Sequence, residues 1–479
     1  MKKFISLLIL SALILSSCGS GTSDETTQPE NNDQTTIQAN GDRLDELGER
    51  DFGKRKFIIL DANDFASTSL NLPHDELTGD TLNDAVHDRD LRISERYNCE
   101  IEYIVGENAP KGCAAFSRSY LAGDYYCDLI ATTVSNTDTL RLLASEGMLA
   151  NLNDIDYLSF DKPWWSRLLN ENLTLGGRSY FAAGDILPQI YTSPVVMVAN
   201  TKLLEQYTPD ADIIGLVDSG KWTIDELLAY TKFNNDVNGD NSLNTLDDFF
   251  GYIGDSTGKD LSTNAFIIGS GVSFTKTDGN SLRLDLMNDR VTTIIDKVVK
   301  LVPHETMSDR QDYINHTFKE DRAIFAQTYI GSIRSYLRDM ESDYLILPIP
   351  KYDESQDGYR NLVNGWTAGF MGIPSNTDTD AVGFFAEALC YDSYKNVRGA
   401  VYDILLKAKL ARDEDSTRMI DVIYDSLYLD FGLIYNFGGT NSVLSDVVYG
   451  NAQLASGLAE KQSAADQAIA DFVASWLAD

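Results

Sequence analysis

Between residues 234 and 252 the chain reads NNDVNGDNSLNTLDDFFGY, which sets side-chain oxygens at Asp236, Asn238, Asp240, Asn244 and Asp247. With Asp236 as position 1, Asn238 stands at 3 and Asp240 at 5. Ser242 then offers its carbonyl at 7, Asn244 stands at 9 and Asp247 at 12, the spacing at which a loop wraps oxygen ligands around calcium. Two positions depart from that pattern: Asn241 replaces glycine at 6, and Asp247 replaces a bidentate glutamate at 12. Asparagine tolerates the left-handed turn, and a shorter carboxylate still binds. The loop is therefore expected to hold Ca2+ weakly, with a dissociation constant on the order of 10⁻⁴–10⁻³ M. The competing reading is an Asn- and Asp-rich loop held by its own backbone hydrogen bonds. A single such loop without a second hand would act as a structural staple, not a sensor.

A second stretch with chemical potential is GDSTG at 254–258, which matches a nucleophile elbow at Ser256. A working elbow needs a strand, a sharp turn, a helix, an oxyanion donor and a histidine partner, and nothing ties the downstream His304 or His316 to Ser256. No HExxH, GxxxxGK[ST] or post-strand GxGxxG occurs, so zinc-hydrolase, P-loop and dinucleotide readings fail on their required residues. His74 and His87 read as surface or capping residues. The cysteines after Cys18 are Cys99, Cys113, Cys127 and Cys390, with no CxxC pair. They read as buried free thiols, although an exported chain can also form a disulfide. The net charge of −34 repels nucleic acid and anionic lipid, and it speaks to solubility rather than catalysis.

The elements that must position these residues begin at the N-terminus. MKKFISLLILSALILSSCGS has two lysines before an apolar run from Phe4 to Leu15. Such a run suits a secretory signal and is too short for a bilayer, which needs about 20 residues. Leu15-Ser16-Ser17-Cys18 behind it resembles a lipobox, which implies cleavage after residue 17 and lipidation of Cys18. Residues 18–51 are polar and acidic and cannot bury a core, so a disordered tether is expected. Strand-like and helix-like segments then alternate: KFIIL (56–60), a helix over 80–98, CEIEYIV (99–105), a short helix near 113–122, CDLIATT (127–133) and a helix over 135–147 with Ser135 as its cap and Gly147 as its stop. Alternation of this kind implies α/β layers with a parallel sheet. Gly176-Gly177 in LTLGGRSYFAAGD is a hairpin signal, and PVVMVANTKLLEQY starts a second α/β unit with Asn200 as cap. Thr223 and Glu226 can form a capping box ahead of the calcium-like loop.

In order, CDLIATTVSNTDTLRLLASEGMLANLND, DKPWWSRLLNENLTLGGRSYFAAGD, VVMVANTKLLEQY, GKWTIDELLAYTKF, HTFKEDRAIFAQTYIGSIRSYL, YLILPIPKYD, NGWTAGFMGIPSNT and YDSLYLDFGLIYNFGG resemble the extracellular solute-binding lipoproteins of bacterial ABC importers, in the carbohydrate-binding group related to maltose-binding protein. The resemblance implies a type II periplasmic-binding-protein-like fold of two α/β lobes, each a mainly parallel sheet flanked by helices. Lobe 1 would span 52–185 with a return at about 365–398, and lobe 2 would span 190–363 with about 405–479. Hinge crossings are expected near Gly184–Pro194, Asn361–Thr367 and Arg398–Leu406. The ligand would sit between the lobes, at loops after the carboxyl ends of strands. Those loops carry Asn63, Asp64, Thr133, Ser135, Asp185, Tyr191, Asn364, Trp366 and Asn436, with Trp165 a further candidate. Such types suit a sugar: short polar groups match hydroxyls, and aromatic faces cover ring C–H surface. Their bland alternatives are local backbone hydrogen bonding for the Asn and Asp residues and core packing for PWW at 163–165. The expectation is thus a non-enzymatic, monomeric receptor for a sugar or oligosaccharide, partnered by ABC permease subunits and held outside the cell membrane by a lipid anchor. A secreted lipoprotein hydrolase is the alternative.

Overall fold

The computed structural model describes residues 42–63, 72, 76–135, 138–243, 247–255, 259–301, 307–308, 314–407 and 414–478. The signal, Cys18, the tether up to residue 41, Asp64, His74, Asn244, Ser256 and His304 lie outside these; the last ten residues of the expected tether, 42–51, are not disordered, since Arg43–Leu47 is a helix that buries Leu44 and is pinned by Arg43 to Glu387 at 3.1 Å. From Arg43 onward the chain forms one compact unit, and within it the alternation read from the sequence resolves into two main sheets, of four and five strands, beside two two-stranded pairs.

In the first sheet the strands Cys99–Val105, Arg55–Ala62 and Leu129–Thr132 run parallel, and Phe370–Gly372 adds an antiparallel edge beside Leu129–Thr132. Leu129–Thr132 is buried throughout, as expected of a strand covered on both faces. The crossover helix Thr81–Tyr97 starts where the Asp80 carboxylate accepts the N–H groups of Leu82 and Asn83, and it ends at Asn98 in the left-handed region. Its face of Leu82, Val86, Ile93 and Tyr97 packs inward. From the return segment, Phe385 stacks on Phe57 with ring centroids 4.2 Å apart.

The second sheet takes its strands in the order Tyr344–Leu347, Val195–Asn200, Ala323–Tyr329, Phe250–Asp255 and Met307–Ser308. Val195–Asn200 is antiparallel to both neighbours, whereas Phe250–Asp255 runs parallel to Ala323–Tyr329 and Met307–Ser308. Asn200 caps the helix Thr201–Tyr207 through Leu203 N–H, and Thr223 Oγ accepts Glu226 N–H at the start of Ile224–Tyr230.

Three segments connect the two halves. The first, after Gly184, carries a short 3₁₀ turn over Pro188–Thr192 and is wholly buried. The second, Asn361–Leu362, pairs with Leu427–Tyr428 and bridges to Pro194 through Val363. The third is helical: Thr379–Asp392 continues through a π-turn over Ser393–Val397 into Arg398–Lys407.

Two local readings need correction. The helix expected over 135–147 is shorter, Leu140–Ser145, with Thr139 at its N-cap and no side-chain cap bond. Ser135 is drawn out of the helix because the Val134 and Ser135 N–H groups both donate to the Gly365 carbonyl, at 3.3 and 3.1 Å. The Gly176-Gly177 turn forms, with φ +59° and +76°, but its flanks make only isolated bridges. Gly147 is left-handed at φ +70°, as its position predicts. All four described cysteines are buried free thiols. Among the described residues no helix is long and apolar enough to cross a membrane.

Candidate functional site

The carboxyl ends of the first sheet's central strands lie side by side, since Ala62 pairs with Thr132. Thr132 Oγ1 donates to the Ala62 carbonyl, which fixes where the chain leaves the sheet into Asn63 and Thr133. Against this end the second crossing approaches closely: a Cβ on Gly365 would stand 2.2 Å from Ser135 Oγ, so only glycine fits there without movement. Asn364 donates its N–H to the Ser193 carbonyl at 2.9 Å and accepts Trp366 N–H on Oδ1 at 3.1 Å. Its side chain thus shapes the turn, the local role open to an asparagine in such a loop. That turn presents the Trp366 ring outward, 48% exposed, while Trp164, Trp165, Trp222 and Trp476 are buried.

Asn436 lies in a segment packed beside the helix Leu140–Ser145. It is left-handed at φ +49° and closes the helix Phe431–Tyr435. The Ile434 carbonyl accepts from Arg141, and the Tyr435 hydroxyl donates to the Arg141 carbonyl at 3.2 Å. Asn436 Oδ1 accepts Asn441 N–H at 2.9 Å. The structure therefore brings Asn63, Thr133, Ser135, Asn364 and Trp366 to one end of the first sheet, whereas the side chain of Asn436 is engaged within its own loop.

Trp165, Asp185 and Tyr191 sit elsewhere. Trp165 is core, not cleft: its indole donates to Glu387 Oε2 at 2.8 Å, and that of Trp164 to Oε1 at 3.1 Å. The proline before the pair turns both indoles inward, onto a helix of the return segment. Asp185 is buried and engaged by Arg398, whose Nε meets Oδ1 at 3.1 Å and whose Nη2 meets Oδ2 at 2.7 Å. Arg398 Nε also donates to the Tyr191 hydroxyl at 2.9 Å, and the guanidinium lies 4.4 Å from the Tyr394 ring centre. Burial pushes the Asp185 carboxyl up to about 7, against the pull of Arg398. Asp185 and Tyr191 thus latch the first crossing to the third through Arg398.

Two residues of this region carried no sequence signal. Arg398 is separated from Asp185 by more than 200 positions, and only the fold pairs them. Gln189 lies within the first crossing, where its neighbours are apolar or short, and no motif marks it.

In the calcium-like loop, Asp236 accepts the N–H groups of Gly239 and Asn241 at 2.6 and 2.7 Å, and Asp240 accepts Ser242 N–H at 2.8 Å. Asn241 adopts φ +65°, the left-handed turn required at position 6. The oxygens of positions 1 and 5 thus face the loop's own interior, and a donor set of carboxylate, amide and carbonyl oxygen suits a hard cation. Among the described residues no three acidic, histidine or cysteine side chains converge as they would on a bound ion. A cavity of about 470 Å³ lined by Leu228, Thr231, Lys232, Asn234 and Lys300 lies in this half. It shares no residue with the cluster around Trp366, and its lining is one of exposed lysines rather than converging groups.

Residues 105–390 match the family described as bacterial extracellular solute-binding protein. Among solved structures, a cyclo/maltodextrin-binding protein complexed with maltotetraose is 14% identical, with a TM-score of 0.59 over 87% of this chain and 98% of that one. The maltose-binding periplasmic protein of Listeria monocytogenes in complex with maltose is 13% identical, with a TM-score of 0.53 over 88% and 97%. The galacto-N-biose/lacto-N-biose I-binding protein of the Bifidobacterium longum ABC transporter is 12% identical, with a TM-score of 0.54 over 88% and 98%. At such identities the likeness is one of fold. No curated protein sequence matches significantly.

Proposed function

Since the chain belongs to the bacterial extracellular solute-binding proteins, we propose that it captures a carbohydrate for an ABC importer, closing two lobes around the solute at the Trp366 end of the first sheet. The observation that carries this reading is the single exposed indole on a turn packed against Thr133–Ser135, beside polar groups at the strand ends. A flat aromatic face with neighbouring amides and hydroxyls is what a sugar ring needs, and it supplies contacts made preferentially when the lobes close. The hydrolase alternative has no site among the described residues, and its nucleophile candidate lies outside them.

Ligand should change Trp366 fluorescence and shield it from acrylamide, because the other four tryptophans are already buried. Trp366→Ala should weaken the best-bound sugar of a mono- and oligosaccharide panel by ~1–3 kcal/mol while moving the sugar-free melting temperature little. A variant that melts far lower yet binds normally would make Trp366 a packing residue and displace the site.

Two further properties belong to the same proposal. The receptor is a monomer tethered to the outer face of the membrane through lipidated Cys18, so Cys18→Ser should shift it from the membrane fraction to the medium; a lipid-free mature N-terminus beyond residue 18, found by mass spectrometry, would refute this. Asp236, Asn238, Asp240, Ser242, Asn244 and Asp247 hold Ca2+ as a staple. Chelator should then lower the melting temperature, and Asp236→Ala with Asp240→Ala should abolish that sensitivity with sugar affinity nearly intact. Sugar affinity that fell in step with calcium removal would place the ion in the cleft instead.

A further inference from the structure

Buried polar groups in a folded chain are nearly always paired, because an unpartnered one forfeits its hydration without return. Among the described residues a few groups break this rule, Asn264, Ser270 and Asn441 elsewhere, and Gln189, Thr133 and Asn63 together beside the carboxyl end of the first sheet. Gln189 is fully buried, and both its amide oxygen and its amide nitrogen lack a protein partner. Thr133, 1% exposed, has an unpartnered Oγ1, and Asn63 has a buried Oδ1 in the same condition.

These groups are neighbours by register. Ala62 pairs with Thr132, and Phe370 pairs with Thr132 from the other side, so Asn63, Thr133 and Gly369 occupy the next rung. Gln189 is packed over that rung: a Cβ on Gly369 would lie 3.0 Å from its Oε1 and 3.2 Å from its own Cβ. The missing side chain of Gly369 is what leaves room for the amide. Three chain segments therefore converge their unsatisfied oxygens and nitrogen at the carboxyl end of the first sheet.

Resting on the carbohydrate-receptor reading, we propose that Gln189, Thr133 and Asn63 form a recognition socket for adjacent hydroxyl groups of a neutral ligand. An amide both donates and accepts, and so does a hydroxyl, so a vicinal diol can satisfy Gln189 at both ends while Thr133 and Asn63 take the remaining proton and lone pair. No cationic side chain is among the three. The carboxylate nearest in sequence, Asp61, accepts from Asn63 Nδ2, which disfavours an anionic solute. Gln189 also lies on the first crossing, the segment about which opening would turn, so the socket is exposed when the lobes part and sealed when they meet. Discrimination would be strong, since a ligand lacking the hydroxyl leaves the socket buried and unpaired.

The test uses the full-length mature protein with maltose, maltotetraose and lacto-N-biose as probes, and two near-isosteric variants, Gln189→Met and Thr133→Val. Each variant should leave the sugar-free melting temperature unchanged or raised, because an unpartnered polar group is exchanged for an apolar one. Each should also weaken the best-bound probe at least tenfold. A lowered sugar-free melting temperature in both variants would assign the groups to a structural water and overturn the proposal. So would probe affinity within twofold of the parent. If the parent binds none of the probes, the carbohydrate reading fails on its own, and the sugar-free melting temperatures still decide whether the socket is structural. Should Gln189→Met not fold, Thr133→Val decides by the same readings.

Discussion

Arg398→Met should destabilise the protein by ~3–5 kcal/mol at pH 8, and by clearly less at pH 5. The guanidinium is the bidentate partner of Asp185, whose side chain is 2% exposed, so removing it strands a carboxylate away from water. It also deprives the Tyr191 hydroxyl and the Pro163 carbonyl, the latter at 3.1 Å, of their donor. The pH dependence follows from linkage. Asp185 titrates near 7 in the folded chain, above the ~3.9 of an unfolded aspartate, so between those values the native state binds the extra proton. Its contribution to stability is therefore greatest below about pH 4 and is lost as pH rises through about 7. Without Arg398 the downward pull on the carboxyl is gone, and the variant can keep Asp185 neutral only by taking up a proton, which costs more as pH rises. Urea denaturation at the two pH values measures the difference. Asp185→Asn combined with Arg398→Met should recover most of the loss at pH 8. A loss independent of pH, or a double variant no better than the single one, would mean that the pair does not hold the crossing.

How far the sequence led depends on the range over which each signal acts. KFIIL and CDLIATT became the central strands of the first sheet and CEIEYIV its parallel edge because runs rich in β-branched and aromatic residues are local signals, and the fold of two α/β halves followed from their alternation. Asn200, Thr223 and Gly147 were legible for the same reason: a cap or a stop is decided within four residues. The site was legible only in part. Trp366 and Asn364 stood out because the resemblance of NGWTAGFMGIPSNT to solute-binding proteins put the second crossing there and their residue types suit a sugar. Ser135 was misread as a cap because its competing partner, the Gly365 carbonyl, lies in a distant segment. Asp185 and Tyr191 had suitable residue types in a suitable place, yet Arg398, which engages both, is set beside them only by the tertiary fold. Gln189 was invisible because its distinguishing property is the absence of a partner, which no local pattern records.

Glu387→Ala should cost ~3–5 kcal/mol without removing any group near Trp366. Glu387 is fully buried in the helix Thr379–Asp392, and its two oxygens serve four donors. Oε1 accepts Trp164 Nε1 and Arg43 Nε, each at 3.1 Å, and Oε2 accepts Trp165 Nε1 at 2.8 Å and Ser159 N–H at 3.2 Å. Truncation would leave two indole N–H groups unpaired in the core, and it would also open a cavity beside the rings. Glu387→Gln should cost less, ~1–3 kcal/mol, because one oxygen survives as an acceptor while the new NH2 faces existing donors. Trp165→Phe removes one of those donors, so in a double-mutant cycle its cost should shrink in the Glu387→Ala background. The consequence reaches the ligand site indirectly. The Trp164 carbonyl accepts Asp185 N–H at 2.9 Å, and Trp165 bridges to Gly184, so the carboxylate seats the segment from which the first crossing departs. A folded Glu387→Ala protein should accordingly bind its solute with altered affinity even though every group at the Trp366 end is intact. A loss below about 1 kcal/mol with additive behaviour in the cycle would show that the two indoles are held by packing alone.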